Sequence, residues 1–180
     1  MAPGKSASIR GWTPLIQLLK IRYGQELGRV QGVGYVNELL ARLTGKAVRD
    51  ETQTNHTLDS SPLTFPLDRK IYADFSHDDQ MIAIYAAIGI FRPLTALDPM
   101  TPDPKRQWLA SHLVPFASKL VTEKLRCHGK DSVRMLINDA VVPLEICGAG
   151  KDGVCQLNAF VASQTYARNN GKGDFQQCFL

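Results

Sequence analysis

The sequence predicts an α/β domain with an antiparallel portion near its end. Apolar residues recur at helical spacing through residues 32–43, GVGYVNELLARL, and Gly45 follows as a stop signal. Residues 70–76, KIYADFS, carry apolar side chains on both faces, which is typical of a central strand covered by helices. A strongly apolar helix is predicted directly afterwards, over residues 79–89. A strand followed by a helix in this way indicates the α/β class.

Two β-rich runs account for the antiparallel portion. They occupy residues 113–126 and 133–144, and Asn138-Asp139 supplies a turn inside the second run. A last helix is predicted over residues 157–166, and the string NNGKG ends it. Residues 91–107 contain four prolines and are predicted to form a loop or lid.

Length, charge and hydrophobicity argue against nucleic-acid-binding and membrane-spanning proteins. With 180 residues, 44% of them hydrophobic, the chain is long enough for one globular domain with a core. The net charge of +4 is mild and its basic residues are scattered, so no cluster indicates nucleic-acid binding. No apolar run approaches the ~20 residues that a membrane-spanning helix needs. We therefore expect neither a nucleic-acid nor a membrane partner.

The N-terminal string MAPGKSASIRGWTPLIQLLKI resembles a signal peptide only in part. Basic residues precede an apolar stretch, but Pro14 and Gln17 interrupt that stretch. Lys20 and Arg22 then follow where small cleavage-site residues belong. We predict an untypical leader or a short amphipathic helix rather than a working signal.

Cysteines and a glycosylation sequon bear on the compartment. Cys147 and Cys155 bracket GAGKDGV, a turn-rich loop that a disulfide could close. The cysteine spacing fits no zinc pattern, so no metal site and no cofactor are predicted. Asn55-His56-Thr57 is an N-glycosylation sequon in a polar stretch that indicates an exposed loop. Together these features favour an oxidising, secretory destination.

The junction between the predicted strand and helix, YADFSHDDQM at residues 72–81, carries the chemistry. Ligands of open α/β sheets bind outside the carboxyl ends of the strands, where His77 and Asp78 are expected. The start of the next helix presents free N–H groups that attract anions. A histidine there can donate a hydrogen bond to phosphate, and an adjacent carboxyl group can protonate a leaving oxygen. The alternative is that Ser76, Asp78 or Asp79 only caps the helix.

The string YADFSHDDQMIAIYAAIGI resembles the strand, His-Asp motif and helix of the histidine acid phosphatases, the fungal phytases in particular. The resemblance extends over roughly residues 23–180, leaving residues 1–22 as a leader without a counterpart. The remaining matching strings, in the same order, are QGVGYVNELLARLTG, TNHTLDSSPLTFPLDRKIYADFSHD, VPFASKLVTEKLRC, VRMLINDAVVPLEICG and YARNNGKGDFQQCFL.

The resemblance implies a fold, a set of roles and a substrate class. The fold would be the C-terminal part of a phosphoglycerate-mutase-like (histidine phosphatase) three-layer sandwich of the α/β class. His77 would contact the transferring phosphate, and Asp78 would donate a proton to the leaving alcohol. Cys147 and Cys155 would form a local disulfide, and Asn55 would be a glycosylated surface residue. The enzyme would be secreted, would need no cofactor, and would act on phytate or another phosphomonoester.

One element of the family pattern is missing. The family's nucleophile is the histidine of an Arg-His-Gly-x-Arg-x-Pro motif, and these 180 residues contain no Arg-His-Gly. His128-Gly129 follows a cysteine and lacks the trailing Arg and Pro, while His56 and His112 are predicted to be ordinary surface or core residues. The resemblance also implies that Cys127 and Cys178 pair with cysteines outside these residues.

Three hypotheses follow. The first is a secreted phosphomonoesterase of phytase type, of which this chain carries the proton-donor half; these residues alone are then expected to be inactive. The second is a non-catalytic secreted remnant that binds phosphate or a partner. The third is an intracellular α/β binding domain, in which His77 and Asp78 are only a cap and Cys147 and Cys155 are free thiols. The resemblance favours phytate as the substrate, and a broader range of phosphomonoesters is the alternative.

Overall fold

The computed structural model describes residues 27–93 and 108–180. The predicted leader and residues 94–107 of the predicted loop lie outside these ranges. None of the helices in the described ranges is both long and apolar enough to cross a membrane. The elements are α1 (Val33–Thr44), α2 (His56–Asp59), α3 (Asp78–Ile88), α4 (Ala110–Leu113), β1 (Leu120–Cys127), β2 (Lys130–Ile137), β3 (Ala140–Val141), β4 (Cys155–Gln156), α5 (Leu157–Ser163), α6 (Thr165–Arg168) and α7 (Asp174–Gln177).

Helix α1 confirms the first predicted helix to within a residue. Its apolar side chains at helical spacing, among them Val36, Leu40 and Leu43, are buried in the core. A short 3-10 turn, Val30–Gly32, leads into it. The helix ends at Gly45, which adopts the left-handed conformation (φ 68°) and donates its N–H to a carbonyl in the last turn.

Helix α3 is the centre of the core. Every residue from position 82 to 88 is buried, so the helix is apolar on all sides and must be surrounded by other elements. The backbone of the 3-10 turn before α1 comes very close to α3 at Gly32, where a Cβ would lie 2.5 Å from the carbonyl oxygen of Ala83. Only a residue without a side chain allows the two backbones to come this near.

The antiparallel portion is a sheet built around β2. Strand β1 pairs with β2 over its whole length, from Leu120 opposite Ile137 to Cys127 opposite Lys130. His128-Gly129 makes the two-residue turn, with φ values of 52° and 78°, as a type I′ hairpin requires. The short strands β3 and β4 pair with the other edge of β2. The sequence placed strands here but missed this hairpin turn.

Every second residue of β2, starting at Val133, faces the core. Val133, Met135 and Ile137 are buried and join the same core as α1 and α3. The predicted turn Asn138-Asp139 is confirmed between β2 and β3, and both residues have positive φ. The first β-rich run was predicted to begin at residue 113, but the strand starts only at Leu120. Residues 110–113 form α4 instead.

The predicted strand at residues 70–76 is absent from this structure, and that prediction was wrong for the chain as described. Residues 71–77 form no regular element, and Ile71 and Phe75 are 84% and 98% exposed. A strand exists only through hydrogen bonds to a neighbouring strand. No strand in the described part of the chain pairs with this segment.

The predicted last helix is divided. Helices α5 and α6 are separated at Gln164, whose ψ of 39° ends the first of them. The Gln164 side chain turns inward, and its Nε2 donates to the carbonyl oxygen of Ile88 at the end of α3 (3.3 Å). The break therefore ties the C-terminal helices to the core helix.

A buried polar network holds α1 to the loop that follows it. Asp50 accepts hydrogen bonds from the N–H groups of residues 52–54 (3.1, 3.0 and 3.2 Å) and from Asn37 Nδ2 (2.7 Å). The same Asn37 amide donates to the carbonyl oxygen of Ala167 in α6 (3.0 Å). Burial raises the pKa of the Asp50 carboxyl, but its hydrogen bonds from Thr52, Asn37 and the backbone outweigh burial and leave the pKa below its ordinary 3.8.

The packing of α3 predicts the effect of Gly32→Ala. The new methyl group would collide with backbone, so we expect a loss of about 1–3 kcal/mol in the free energy of unfolding, measured by urea denaturation. Gly150→Ala is the matched control, because the nearest atom to its Cβ would be the end of the Asp152 side chain at 3.4 Å. Equal stability of the two variants would contradict the close packing at Gly32.

The Asp50 network predicts a pH dependence of stability. Because the folded-state pKa lies below the unfolded value, Asp50 stabilises the fold fully above pH 3.8, and this contribution is lost as the pH falls through the folded pKa. Asp50→Asn should cost about 1–3 kcal/mol at pH 7, and the difference from wild type should shrink in acid. Asp68→Asn, at a side chain that is 81% exposed, should show no such difference. Thermal melts between pH 3 and 7 measure both.

Candidate active site

The junction between residues 71–77 and α3 places His77 and Asp78 at the start of the core helix. His77 is the N-cap residue, with extended backbone (φ −114°, ψ 163°), and its carbonyl accepts the first helical hydrogen bond from Met81 (3.0 Å). The His77 side chain makes no capping hydrogen bond. Ser76 is therefore not the N-cap, whereas Asp78 Oδ1 accepts from the N–H of Asp79 (2.9 Å) and satisfies one free group of the first turn.

The helix dipole at this junction favours an anion, while Asp78 and Asp79 place two acidic side chains in the same first turn. Helix α3 has 11 residues, enough to present a positive dipole end at His77. All residues from 76 to 80 are exposed, so a ligand can reach the imidazole of His77 and the carboxyl group of Asp78 together. Adjacent hydrogen-bond donor and acid groups at a helix start can bind a phosphate ester and protonate its leaving oxygen.

A cluster around Arg42 fixes the segment that leads into the junction. Its guanidinium makes two hydrogen bonds to the Asp74 carboxylate, Nη1 to Oδ2 at 2.5 Å and Nη2 to Oδ1 at 3.1 Å. The same group lies over the rings of Phe65 and Tyr72, 4.9 and 5.0 Å from their centres. These four residues are called the Arg42 clamp. Sequence reasoning missed it, because Arg42 and Asp74 are 32 positions apart and no local spacing connects them.

A groove lies beside the Arg42 clamp. Residues 69–74 form one wall and residues 120–125 of β1 form the other, enclosing a volume of about 750 Å³. Tyr35 of α1 also lines the groove. Burial raises the pKa of the Tyr35 hydroxyl, and it also raises that of the nearby Glu38 carboxyl. The groove thus separates the extended segment from the strand edge that faces it.

The structure shows where the remaining predicted site residues lie. Asn55 is exposed and is the N-cap of α2, its Oδ1 accepting from the N–H of Thr57 (3.0 Å). Cys147 and Cys155 form the expected disulfide, with their Cα atoms 6.2 Å apart. Cys127 and Cys178 are free thiols, at the end of β1 and near the C-terminus. Glycosylation of Asn55 stays a prediction.

The other histidines are all at the surface. His56 lies in α2, His112 in α4, and His128 in the hairpin turn, and all three are exposed. None of the histidine, cysteine, aspartate and glutamate side chains in the described ranges form a group of three or more able to hold a metal ion.

Comparison with known proteins decides the family. The sequence profile of the histidine phosphatase superfamily (branch 2) matches residues 11–138. The chain belongs to this superfamily. Phytase A of Emericella nidulans is 46% identical over 160 residues, covering 87% of this chain and 34% of the relative. Phytase A of Aspergillus awamori is 43% identical over 172 residues, covering 91% and 36%.

A solved structure supports the same family assignment. The crystal structure of the phytase from D. castellii matches with a TM-score of 0.67 and 25% identity, over 88% of this chain and 30% of that one. The expected α/β histidine phosphatase fold and the similarity to the C-terminal portion of the fungal phytases are confirmed. The chain spans about a third of the length of the relatives that it matches.

The Arg42 clamp predicts how residues 71–77 respond to proteolysis. In Arg42→Gln the ion pair and both ring contacts are lost, so the segment should move away from α1 and chymotrypsin should cut faster after Tyr72 and Phe75. Arg126→Gln is the matched control, because it breaks an ion pair with Asp131 on the exposed hairpin. Mass spectrometry of the first fragments measures the rates. The same cleavage rate in Arg42→Gln and wild type would contradict the clamp.

Proposed function

We propose that this chain supplies the phosphate-contacting and proton-donating residues of a phosphomonoester hydrolase. His77 contacts the transferring phosphate, and Asp78 protonates the leaving oxygen. The observation that carries the proposal is the exposed His-Asp pair at the first residues of α3, in a chain of the histidine phosphatase superfamily. The substrate class is supported by relatives called Phytase A, so the ester is phytate or a similar phosphomonoester.

The chemistry follows from the positions of the two side chains. The positive end of α3 attracts the negative phosphate group, and the His77 imidazole, outside the helical hydrogen bonds, is available to donate to a phosphate oxygen. The bond from phosphorus to the ester oxygen breaks, and the alcohol would leave as an unstable alkoxide without a proton. Asp78, in its protonated form, supplies that proton, an effect worth about 10²–10⁴ in rate.

The nucleophile has to come from elsewhere. The sequence of 180 residues contains no Arg-His-Gly, and His128-Gly129 is the turn of the β1–β2 hairpin. The chain matches about a third of each relative, so we assign the nucleophile to the part of the family fold that lies outside the match. These 180 residues alone should therefore not hydrolyse p-nitrophenyl phosphate.

The same missing part explains the exposed segment before α3. Residues 71–77 are extended, are anchored on one side by the Arg42 clamp, and leave Ile71 and Phe75 in solvent. We propose that the rest of the histidine phosphatase fold occupies the adjoining groove and pairs with this segment as a strand. Burial of the two apolar side chains would supply the driving force. The free thiols Cys127 and Cys178 would pair with cysteines in that part.

We propose that the protein is secreted and glycosylated. The disulfide between Cys147 and Cys155 supports an oxidising environment over the intracellular alternative. The exposed position of Asn55 in its sequon leaves the side chain open to modification.

A second candidate is a non-catalytic phosphate-binding protein. The absence of the Arg-His-Gly string from the sequence favours it, since His77 and the start of α3 can bind phosphate without a nucleophile. This candidate predicts that His77→Ala removes phosphate binding at the start of α3, with no turnover by the protein itself. An in-frame upstream coding region with Arg-His-Gly-x-Arg-x-Pro would exclude it.

The proposed function predicts a dependence on the leaving group. Residues 23–180 are placed in Emericella nidulans Phytase A instead of its matching segment, and hydrolysis of phytate and of p-nitrophenyl phosphate is measured. Asp78→Asn should lower kcat for phytate by about 10²–10⁴, and much less for p-nitrophenyl phosphate, whose leaving group needs little protonation. Asp79→Asn is the neighbouring control and should have a small effect on both substrates.

Two outcomes of the chimera experiment would count against the proposal. A folded chimera, judged by its cooperative thermal melt, that hydrolyses neither substrate would contradict the proposed function. Equal loss of both activities in Asp78→Asn would remove the proton-donor role and leave Asp78 a residue that only shapes the site.

A further inference from the structure

A cationic cavity lies at the opposite end of α3 from His77. It has a volume of about 430 Å³, and its walls come from the last residues of α3, the α5–α6 break and the C-terminal turn. With 11 residues at about 1.5 Å each, α3 separates the two ends by about 16 Å. The charged residues of the lining are Arg29, Arg92, Lys172 and Asp174.

The positive charges in this cavity make no ion pair with an acid in the described part of the chain. They belong to Arg29, Arg92 and Lys172. The one acid of the lining, Asp174, accepts a hydrogen bond from the Tyr166 hydroxyl (2.8 Å). Three cations from three separate segments thus share one cavity with a single acid, so its walls carry a net positive charge that favours an anion.

Arg29 is already oriented for such a ligand. Its guanidinium lies 3.9 Å from the centre of the Tyr166 ring, which holds it in place from one side. Its Nε is buried and has no hydrogen-bond partner in the described structure. A buried donor without an acceptor is costly, so an oxygen atom of a bound anion would restore a lost hydrogen bond.

Gln164 requires a hydrogen-bond donor from the ligand, whereas Arg29 requires an acceptor. This side chain lines the cavity and is only 1% exposed. Its Nε2 donates to the carbonyl oxygen of Ile88 (3.3 Å) and to Ser163 Oγ (3.0 Å), which fixes the orientation of the amide. Its Oε1 has no partner among the described groups. The ligand therefore needs acceptor oxygens for the cations and one hydroxyl group that donates to Gln164.

We propose that this cavity binds a phosphate group that also carries a hydroxyl donor, as hydrogen phosphate or as the phosphate ester of a polyol. Phosphate oxygens would accept from Arg29 Nε and pair with Arg92 and Lys172, the fork of each guanidinium matching the geometry of phosphate. The P–OH group, or a neighbouring alcohol, would donate to Gln164 Oε1. This second phosphate site is independent of the function proposed for His77 and Asp78.

The test is isothermal titration calorimetry of the complete 180-residue chain with inorganic phosphate at pH 7. Binding should persist in His77→Ala, which removes the imidazole of the other site. Arg92→Gln and Lys172→Gln should each weaken it about tenfold, as expected for one charge-assisted hydrogen bond. Both side chains are exposed, so the fold should survive each change. Lys151→Gln, an exposed lysine outside the lining, is the control and should bind like wild type.

Two further ligands identify the chemistry. Sulfate has no hydroxyl group at pH 7 and should bind more weakly than phosphate, because Gln164 Oε1 would stay unpaired. Tighter binding of myo-inositol monophosphate than of inorganic phosphate assigns the site to a polyol ester, and the reverse order assigns it to free phosphate. The proposal is overturned if Arg92→Gln and Lys172→Gln bind like wild type, if His77→Ala abolishes binding, or if neither phosphate compound binds.

Discussion

The close backbone contact between Gly32 and Ala83 fixes the position of helix α3 in the core. From residue 82 to residue 88 helix α3 is buried on every side, and this backbone approach sets its distance from the turn that leads into α1. A buried helix cannot slide along its axis without opening voids in a close-packed core. The positions of both its ends, and of the side chains carried there, are therefore decided by packing far from either end.

We propose that the two ends of α3 bind the same kind of ligand through different surfaces. At the start, His77 and Asp78 are exposed beside a segment that is held from one side only, by the Arg42 clamp. At the other end, Gln164 ties the C-terminal helices to the last turn and forms part of a cationic cavity. The first arrangement suits proton transfer to a leaving group, and the second suits binding without chemistry.

Local signals in the sequence were enough for some elements and not for others. Helices α1 and α3 were predicted because their apolar spacing and their terminal glycines are read within a few residues. The prediction of a strand at residues 70–76 is wrong for the described chain. A run of apolar residues can be recognised locally, but a strand forms only when a partner strand from elsewhere in the fold pairs with it. The His-Asp pair was found as a motif at a junction. The Arg42 clamp and the cavity at Gln164 join residues far apart in sequence, so no spacing could reveal them.

We propose that this chain is the proton-donor half of a histidine phosphatase, completed by residues that the 180 do not contain. Sequencing the transcript through the region upstream of the Met1 codon tests this most directly. We expect an in-frame coding region that includes Arg-His-Gly-x-Arg-x-Pro. A transcript that begins just before Met1, with no such motif in frame, would contradict it and would favour a protein that binds phosphate at His77 without hydrolysing its esters.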